Sequence, residues 1–434
     1  MLQLFGSGLI AFWLKTVGIR VKSVDASTLL ASPASPGLIL ASDPNPAGAA
    51  IQQYLRALAA SEPSMVQGVW IQSGPMLLAN HQGTVPLPAA SLTKIATSLA
   101  ALRAWGPEHQ FETLIGATGP IKNGVLQGDL VISGSGDPLF VWEEAIALGN
   151  SLNQIGIKRI TGNLIVTSNF VMNYNFNSVQ AGELLKQGLD AQSWSTAVVT
   201  QYRKMPLGTP QPQVAISGSV QVAQFPIPKQ VLLLRHHSLP LAKIIKEMNI
   251  YSNNDIAQML ADNLGGAQVV QQQAALAAGV PQSEIQLANG SGLGVENRIS
   301  PRAVCAMFMA IQREALPYKL SVADLFPVSG RDHRGTLQTR HIPAATVIKT
   351  GTLRDVSALA GVMPTRDRGL VWFAILNRGE DVASLRLKQD QLLQRLSQQW
   401  GLATVLPTTL RPQSPNNTPA SLGEVSRNEI LYRG

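Results

Sequence analysis

Apolar and polar positions change period several times along the chain, and each change marks an element. Between Gly68 and Leu78 the alternation is that of two strands joined at Ser73-Gly74-Pro75. His81-Gln82-Gly83 predicts a second turn, and prolines at 86 and 88 exclude a helix until Ala89. From Ser91 the apolar residues take helical spacing (Leu92, Ile95, Ala96, Leu99, Leu102), which predicts a helix to about Trp105. From Phe111 to about Gln230, short β-rich pieces at 125–133, 160–167, 214–222 and 230–234 alternate with Gly-rich turns such as Gly134-Ser135-Gly136-Asp137-Pro138. This texture predicts an inserted, mostly β domain. Helical periodicity returns over 241–264, broken at Tyr251-Ser252-Asn253-Asn254. After a Gly-rich loop at 289–294 and another helix, strands are expected at 345–353, 356–363 and 370–377, then an amphipathic helix at 382–400. From about residue 405 prolines are frequent and large apolar groups few, which reads as a flexible tail. No internal repeat is present.

Composition narrows the partners. The chain has 434 residues, 45% of them apolar and 14% charged, enough for a sizeable core in two or three domains. Its net charge of +8 suits anionic surroundings. No Lys/Arg block or basic stripe interleaved with aromatics exists, so no nucleic-acid partner is expected. Cys305 is the only cysteine, which excludes an internal disulfide and any multi-cysteine metal site; its apolar helical run marks it as a buried small hydrophobe. The six histidines are scattered, so neither a metal site nor a cofactor is expected. Leu2 to Leu14 is apolar and precedes Val24-Asp25-Ala26, a plausible cleavage point, yet no Lys or Arg comes before it. The segment is too short for a confident membrane span. It reads either as an export signal or as an amphipathic helix lying on the protein or on a membrane surface.

The candidate chemistry starts at Ser91-Leu92-Thr93-Lys94. Residues i and i+3 on a first helical turn share a face, so the Lys94 ammonium is within reach of the Ser91 hydroxyl. Free backbone N–H groups at a helix start also suit a developing oxyanion. Lys94 would serve as a base only with its pKa brought down from about 10.4 toward 7, by burial or by a neighbouring cation such as Lys349. Alone, the pair is weak: Ser-x-x-Lys arises by chance about once in a chain of this length, and a capping serine beside a solvated lysine would then be the favoured reading. Lys349-Thr350-Gly351-Thr352 adds weight, because glycine inside an expected strand implies the close approach of another backbone. A substrate peptide pairing there would place its terminal carboxylate at Lys349 and Thr350; an exposed edge strand is the plainer alternative. Ser252-Asn253-Asn254 interrupts two helical stretches, where a hydroxyl and an amide would relay a proton and hold a substrate amide. Ser-x-Asn recurs at 151, 414 and 426, so the pattern alone means little. No Gly-x-Ser-x-Gly occurs, which argues against a Ser-His-Asp hydrolase.

These three motifs, in this order, resemble the active-site set of the penicillin-binding and serine β-lactamase superfamily. Gly128-Asp129-Leu130 with Gly134-Ser135-Gly136-Asp137-Pro138, Asn289-Gly290-Ser291-Gly292-Leu293, Pro327-Val328-Ser329-Gly330, Gly335-Thr336-Leu337 and 349–353 narrow the likeness. They resemble the class C low-molecular-mass penicillin-binding proteins, the D-alanyl-D-alanine carboxypeptidase/endopeptidase family (peptidase family S13), over roughly 66–400. The resemblance implies an α+β fold: a transpeptidase-like domain with an antiparallel sheet flanked by helices, at 27–105 and 231–403. A reduced, mostly β insertion would occupy 106–230, a signal-like or membrane-associating segment 1–26 and a flexible tail 404–434. It implies Ser91 as nucleophile, Lys94 as base, Ser252 as proton relay and Asn254 as a substrate-amide ligand. Lys349, Thr350, Gly351 and Thr352 would form the strand that binds the terminal carboxylate, with backbone N–H groups of Ser91 and Thr352 as oxyanion hole. Peptidoglycan stem peptides would be the substrates, β-lactams covalent inhibitors, and the location periplasmic or otherwise extracytoplasmic. A fold of this kind that holds wall peptide with little turnover is the alternative. The sequence departs from the family in a shortened Ser91–Ser252 separation, in Val166 where a site-facing aspartate is usual, and in Asn289 where an aspartate precedes Gly-Ser-Gly.

Overall fold

Residues 41–42, 46–61, 65–167, 169–224, 230–411 and 421–432 are described by the computed structural model. The signal-like segment expected at 1–26 lies outside the described residues. After α1 (Pro46–Ser61) the expected hairpin forms from β1 (Val66–Ser73) and β2 (Met76–His81), with Gly74 at the turn at φ +52°. The predicted helix follows as α2 (Thr93–Trp105), whose first ten residues are all buried. A helix apolar all round belongs at the centre of a fold, and α2 is the central one here.

The segment at 106–230 is not mostly β. It contains β3 (Glu112–Ala117), β4 (Leu130–Ser133), α3 (Trp142–Gln154), β5 (Leu164–Thr167), α4 (Ser178–Leu189), α5 (Thr196–Tyr202) and β6 (Val220–Ala223). With β7 (Val231–His237) it builds a mixed sheet in which β4, β5 and β6 run parallel. Parallel neighbours need a long crossover, and helices supply it. Helical spacing was present in Ala145, Leu148 and Leu152 of α3, all buried in that core.

The chain then returns through α6 (Leu241–Tyr251), α7 (Asn254–Asn263), α8 (Ala267–Ala278) and α9 (Pro301–Ala315). It ends in β8 (Val347–Leu353), β9 (Val356–Thr365), β10 (Gly369–Arg378), α10 (Val382–Trp400) and β11 (Asn428–Ile430). The main sheet has the order Ala41–Ser42, β2, β1, β10, β9, β8; all its pairings are antiparallel except that of Ala41–Ser42. Its central strands show no polar alternation because both faces are covered. Trp70, Ala358, Ala374 and Leu376 pack toward α2 and α9, whereas Val69, Leu359, Phe373 and Ile375 pack toward α1 and α10. The fold is therefore α+β, with an antiparallel sheet flanked by helices.

The tail expected to be flexible is instead docked over 421–432. Strand β11 pairs with β7, closing the edge of the second sheet. Arg427 forms a buried ion pair with Glu144 and donates to the His237 carbonyl at 2.8 Å; Asn428 bonds His236 Nδ1 at 2.7 Å and Ser151 Oγ at 3.0 Å. Composition suggested a tail because few apolar groups are involved; polar side chains hold it.

Candidate active site

Ser91 lies in a single 3-10 turn, Ala90–Leu92, that feeds directly into α2. The turn is fixed from both sides. Ala90 takes φ +47°, uncommon for a side chain with a Cβ. A Cβ on Gly292 would come within 1.9 Å of the Ala90 carbonyl oxygen, and one on Gly351 within 2.9 Å of that of Ala89 and 3.1 Å of Ser91 N. The glycine in β8 thus serves the close approach that its position implied, and the backbone that approaches is the Ser91 turn itself.

Lys94 is fully buried beneath Ser91. Its Nζ donates to Ser91 Oγ at 3.0 Å, Asn254 Oδ1 at 2.8 Å and the Ser291 carbonyl at 2.7 Å. Burial brings its pKa down to about 7, against an opposing pull from Asp255. The neighbouring-cation route expected for Lys94 runs the other way. Lys349, also fully buried, is held well below its ordinary value by burial and by the charge of Lys94.

The helix break at 251–254 is a C-cap followed at once by an N-cap. Ser252 ends α6 in the left-handed region (φ +55°, ψ +38°), and the Asn253 side chain accepts from Ile256 N to start α7. The two caps set Asn254 against Lys94 and Ser252 against Lys349. Ser252 Oγ accepts from Lys349 Nζ at 2.9 Å. Because Asn254 accepts from Lys94 through Oδ1, its amide N–H groups are left to donate. Lys349 also donates to the Thr350 carbonyl at 2.8 Å, so its ammonium lies between Ser252 and the edge strand.

Strand β8 is the last in its sheet. The segment around Pro327 and Val328 covers its start, with Ile348 N donating to the Pro327 carbonyl. Alternate N–H groups of a strand point to opposite edges, so those of Thr350 and Thr352 share the outward direction of Ile348. Thr350 Oγ1 bonds Thr336 Oγ1 at 2.8 Å, and Arg386 of α10 donates to Thr352 Oγ1 at 2.9 Å.

All eight site residues read from the sequence fall within this one constellation. Three further contributors were not singled out: the Ser291 carbonyl, Thr336 as a side chain and Arg386. The first is a main-chain group that no residue type announces. Asn289, where the family has aspartate, accepts from Ser291 N, Ser291 Oγ and Gly292 N while its amide donates to the Leu293 carbonyl at 2.7 Å, a bond a carboxylate cannot make. Val166 does not reach the site; it is buried in the core of the second sheet.

A serine bonded to a buried lysine and facing a lysine-bearing edge strand, on an antiparallel sheet wrapped by helices, defines the penicillin-binding and serine β-lactamase class. The family model for D-Ala-D-Ala carboxypeptidase 3 (S13) matches residues 51–204 and 210–399. The chain belongs to the D-Ala-D-Ala carboxypeptidase 3 (S13) family, whose members are serine carboxypeptidases. It is 25% identical over 394 residues to the D-alanyl-D-alanine carboxypeptidase DacB of Haemophilus influenzae, covering 68% of this chain and 80% of that protein. Identity to the D-alanyl-D-alanine carboxypeptidase of Actinomadura sp. (strain R39) is 23% over 435 residues, covering 76% and 80%. Among solved structures, a predatory endopeptidase of Bdellovibrio bacteriovorus, acylated by penicillin G and bound to an immunity protein, superimposes with a TM-score of 0.71 at 21% identity, covering 85% of this chain and 100% of that one. Penicillin-binding protein 4 of Haemophilus influenzae gives 0.60 at 20% identity, covering 79% and 98%.

Proposed function

We propose that the protein cleaves the peptide bond after a D-alanine in peptidoglycan peptides through an acyl-Ser91 intermediate. The hydrogen bond between Ser91 Oγ and a buried Lys94 whose pKa lies near 7 carries this reading. Neutral Lys94 takes the Ser91 proton as Oγ attacks the carbonyl carbon. Backbone N–H groups of Ser91 and Thr352 receive the oxyanion. Ser252, bonded to Lys349, passes its proton to the amine that leaves and receives in return the one Lys94 took, so that Lys94 is neutral again; Asn254 donates to the peptide on the acyl side. Water then attacks the ester, Lys94 again taking the proton, and releases the shortened peptide with Ser91 restored. β-Lactams would acylate Ser91 by the same first step, as penicillin G has done in the Bdellovibrio enzyme.

The substrate places the enzyme outside the cytoplasm. Residues 27–105 and 231–403 are taken as the catalytic unit, and 106–230 as an insertion that borders its cleft. Fluorescent penicillin is expected to label the wild type covalently and to leave Ser91→Ala unlabelled; a labelled Ser91→Ala protein overturns the assignment. Release of D-alanine from a pentapeptide excludes a wall-peptide binder with little turnover. Masses of the products from cross-linked muropeptides then separate carboxypeptidase from endopeptidase action.

A further inference from the structure

The amine that departs on cleavage does so on the side of Ser252, which supplies its proton. Whatever that amine is attached to lies beyond Ser252, and a cavity of about 510 Å³ borders that position. Tyr251 and Asn253, the residues on either side of Ser252, form one of its walls. Trp142, Asn173 and Tyr174 of the insertion form another. Arg334 forms a third, two residues before the Thr336 that bonds Thr350.

Three features point to a ligand there. Asn173 and Tyr174 both hold left-handed backbone, at φ +48° and +63°, uncommon for residues with a Cβ and a strain that binding sites retain. The Asn173 side chain keeps its Nδ2 buried without an acceptor, a cost that a ligand oxygen would remove. The aromatic rings of Trp142, Tyr174 and Tyr251 share the lining with charges of both signs, Glu143 and Glu247 against Lys204 and Arg334. Arg334 sits over the Tyr251 ring at 5.5 Å and forks onto Glu247 at 2.6 and 3.1 Å. Burial, followed by the charges of Glu143, Asp255 and Glu247, pushes Tyr174 up to about 12, so its hydroxyl stays a donor.

A departing D-alanine leaves such a space unused, because its side chain is one methyl group. In a cross-link the departing amine ends the side chain of a diamino acid, and a second stem peptide follows it. That group brings carboxylates, amide oxygens and an apolar arm together. Aromatic faces, an unpaired amide donor and charges of both signs match it.

We propose that this cavity is the subsite for the leaving half of a cross-linked peptide, which makes cross-linked stem peptides, rather than free D-alanyl termini, the preferred substrate. The inference rests on the acyl-Ser91 reading and names the amine that its first step releases. The bond broken and the proton transferred are those already described.

The test measures kcat/KM of the full chain on a pentapeptide ending in D-alanyl-D-alanine and on a dimer of stem peptides joined through D-alanine, with acylation by fluorescent penicillin alongside. Wild type should favour the dimer by about tenfold or more. Tyr174→Ala takes away part of one wall, and Lys204→Trp crowds the cavity from an exposed position that packing does not constrain. Each should lower the rate on the dimer by roughly tenfold, as the loss of one anchoring contact does in binding. Pentapeptide hydrolysis and penicillin acylation should stay within about twofold of wild type. A wild type that penicillin labels but that treats both peptides alike, or prefers the pentapeptide, overturns this assignment and leaves acyl-Ser91 standing. Variants that slow both peptides equally, or neither, overturn it as well. A wild type that penicillin does not label overturns the acyl-Ser91 reading itself and this assignment with it.

Discussion

Lys94 shows how burial alone makes a base. Its pKa near 7 predicts that kcat/KM rises with pH through about 7, because only the neutral amine accepts the Ser91 proton. The same depression sets a stability cost. The folded state has lost a proton that the unfolded chain keeps between about 7 and 10.5, so this group makes the protein more stable as pH rises across that window. Lys94→Met is therefore expected to lower penicillin acylation by about a hundredfold or more, while raising stability at neutral pH by on the order of 1 kcal/mol. Acylation kinetics and urea melts of one variant check both, and a variant that is both slow and less stable would contradict the burial argument. The pair was visible in the sequence as residue types at helical spacing. Its charge state was not, because it depends on burial, against the opposing pull of Asp255, which only the fold supplies.

At the scale of elements, periods of two and 3.6 predicted the hairpin of β1 and β2, the Ser91 helix and the strands β8 to β10. They missed α3, α4 and α5, because short parallel strands separated by turns look like any β-rich segment until their order is known. The break at Ser252 was legible as a break, yet its function depends on two caps in succession. Gly351 is the most instructive position. Its type signalled close approach, and the approaching group proved to be the Ser91 turn. A methyl group there would have to displace the Ala89 carbonyl oxygen or the Ala90 Cβ, 2.9 and 3.1 Å away. Gly351→Ala is expected to cost about 1–3 kcal/mol, the usual range for overpacking. It should lower acylation more steeply, by about a hundredfold, since a shift of roughly 1 Å in a nucleophile is enough for that. Equal acylation rates in a destabilised Gly351→Ala protein would show that the turn adjusts freely.

Across the whole molecule, the docked C-terminal segment links both units of the fold. Leu422 lines a cavity of about 510 Å³ together with Trp142 and Tyr174 of the insertion and Tyr251 and Asn253 beside the site. Polar groups hold the segment in place. Arg427 pairs with Glu144, while His236 Nε2 lies 3.7 Å from Glu144 Oε2 and 3.9 Å from Asp137 Oδ2. Burial pushes Glu144 up to about 7 and Asp137 up to about 6, Arg427 partly offsetting both, and holds His236 down at about 3. A carboxyl whose folded pKa is raised contributes stability that is full below its ordinary value and is lost as pH rises through the raised one. Asp137 and Glu144 therefore weaken the docking as pH climbs from about 4 toward 7, while the depressed His236 strengthens it up to about 6.5. Two carboxyls outweigh one histidine over most of that span, and above 6.5 Glu144 acts alone. Arg427→Met removes the cation that faces both carboxylates. It is expected to cost about 3–5 kcal/mol, as when a buried pair loses one partner. Its loss of stability between pH 6 and 8 should also be steeper than that of the wild type, since the Gly423 N–H alone then offsets ionisation of Glu144. Urea melts across that range measure both quantities, and proteolysis of the native variant at the C-terminal segment locates the opening. A variant whose stability tracks the wild type at every pH would mean that the pairing of β11 with β7 holds the segment without Arg427.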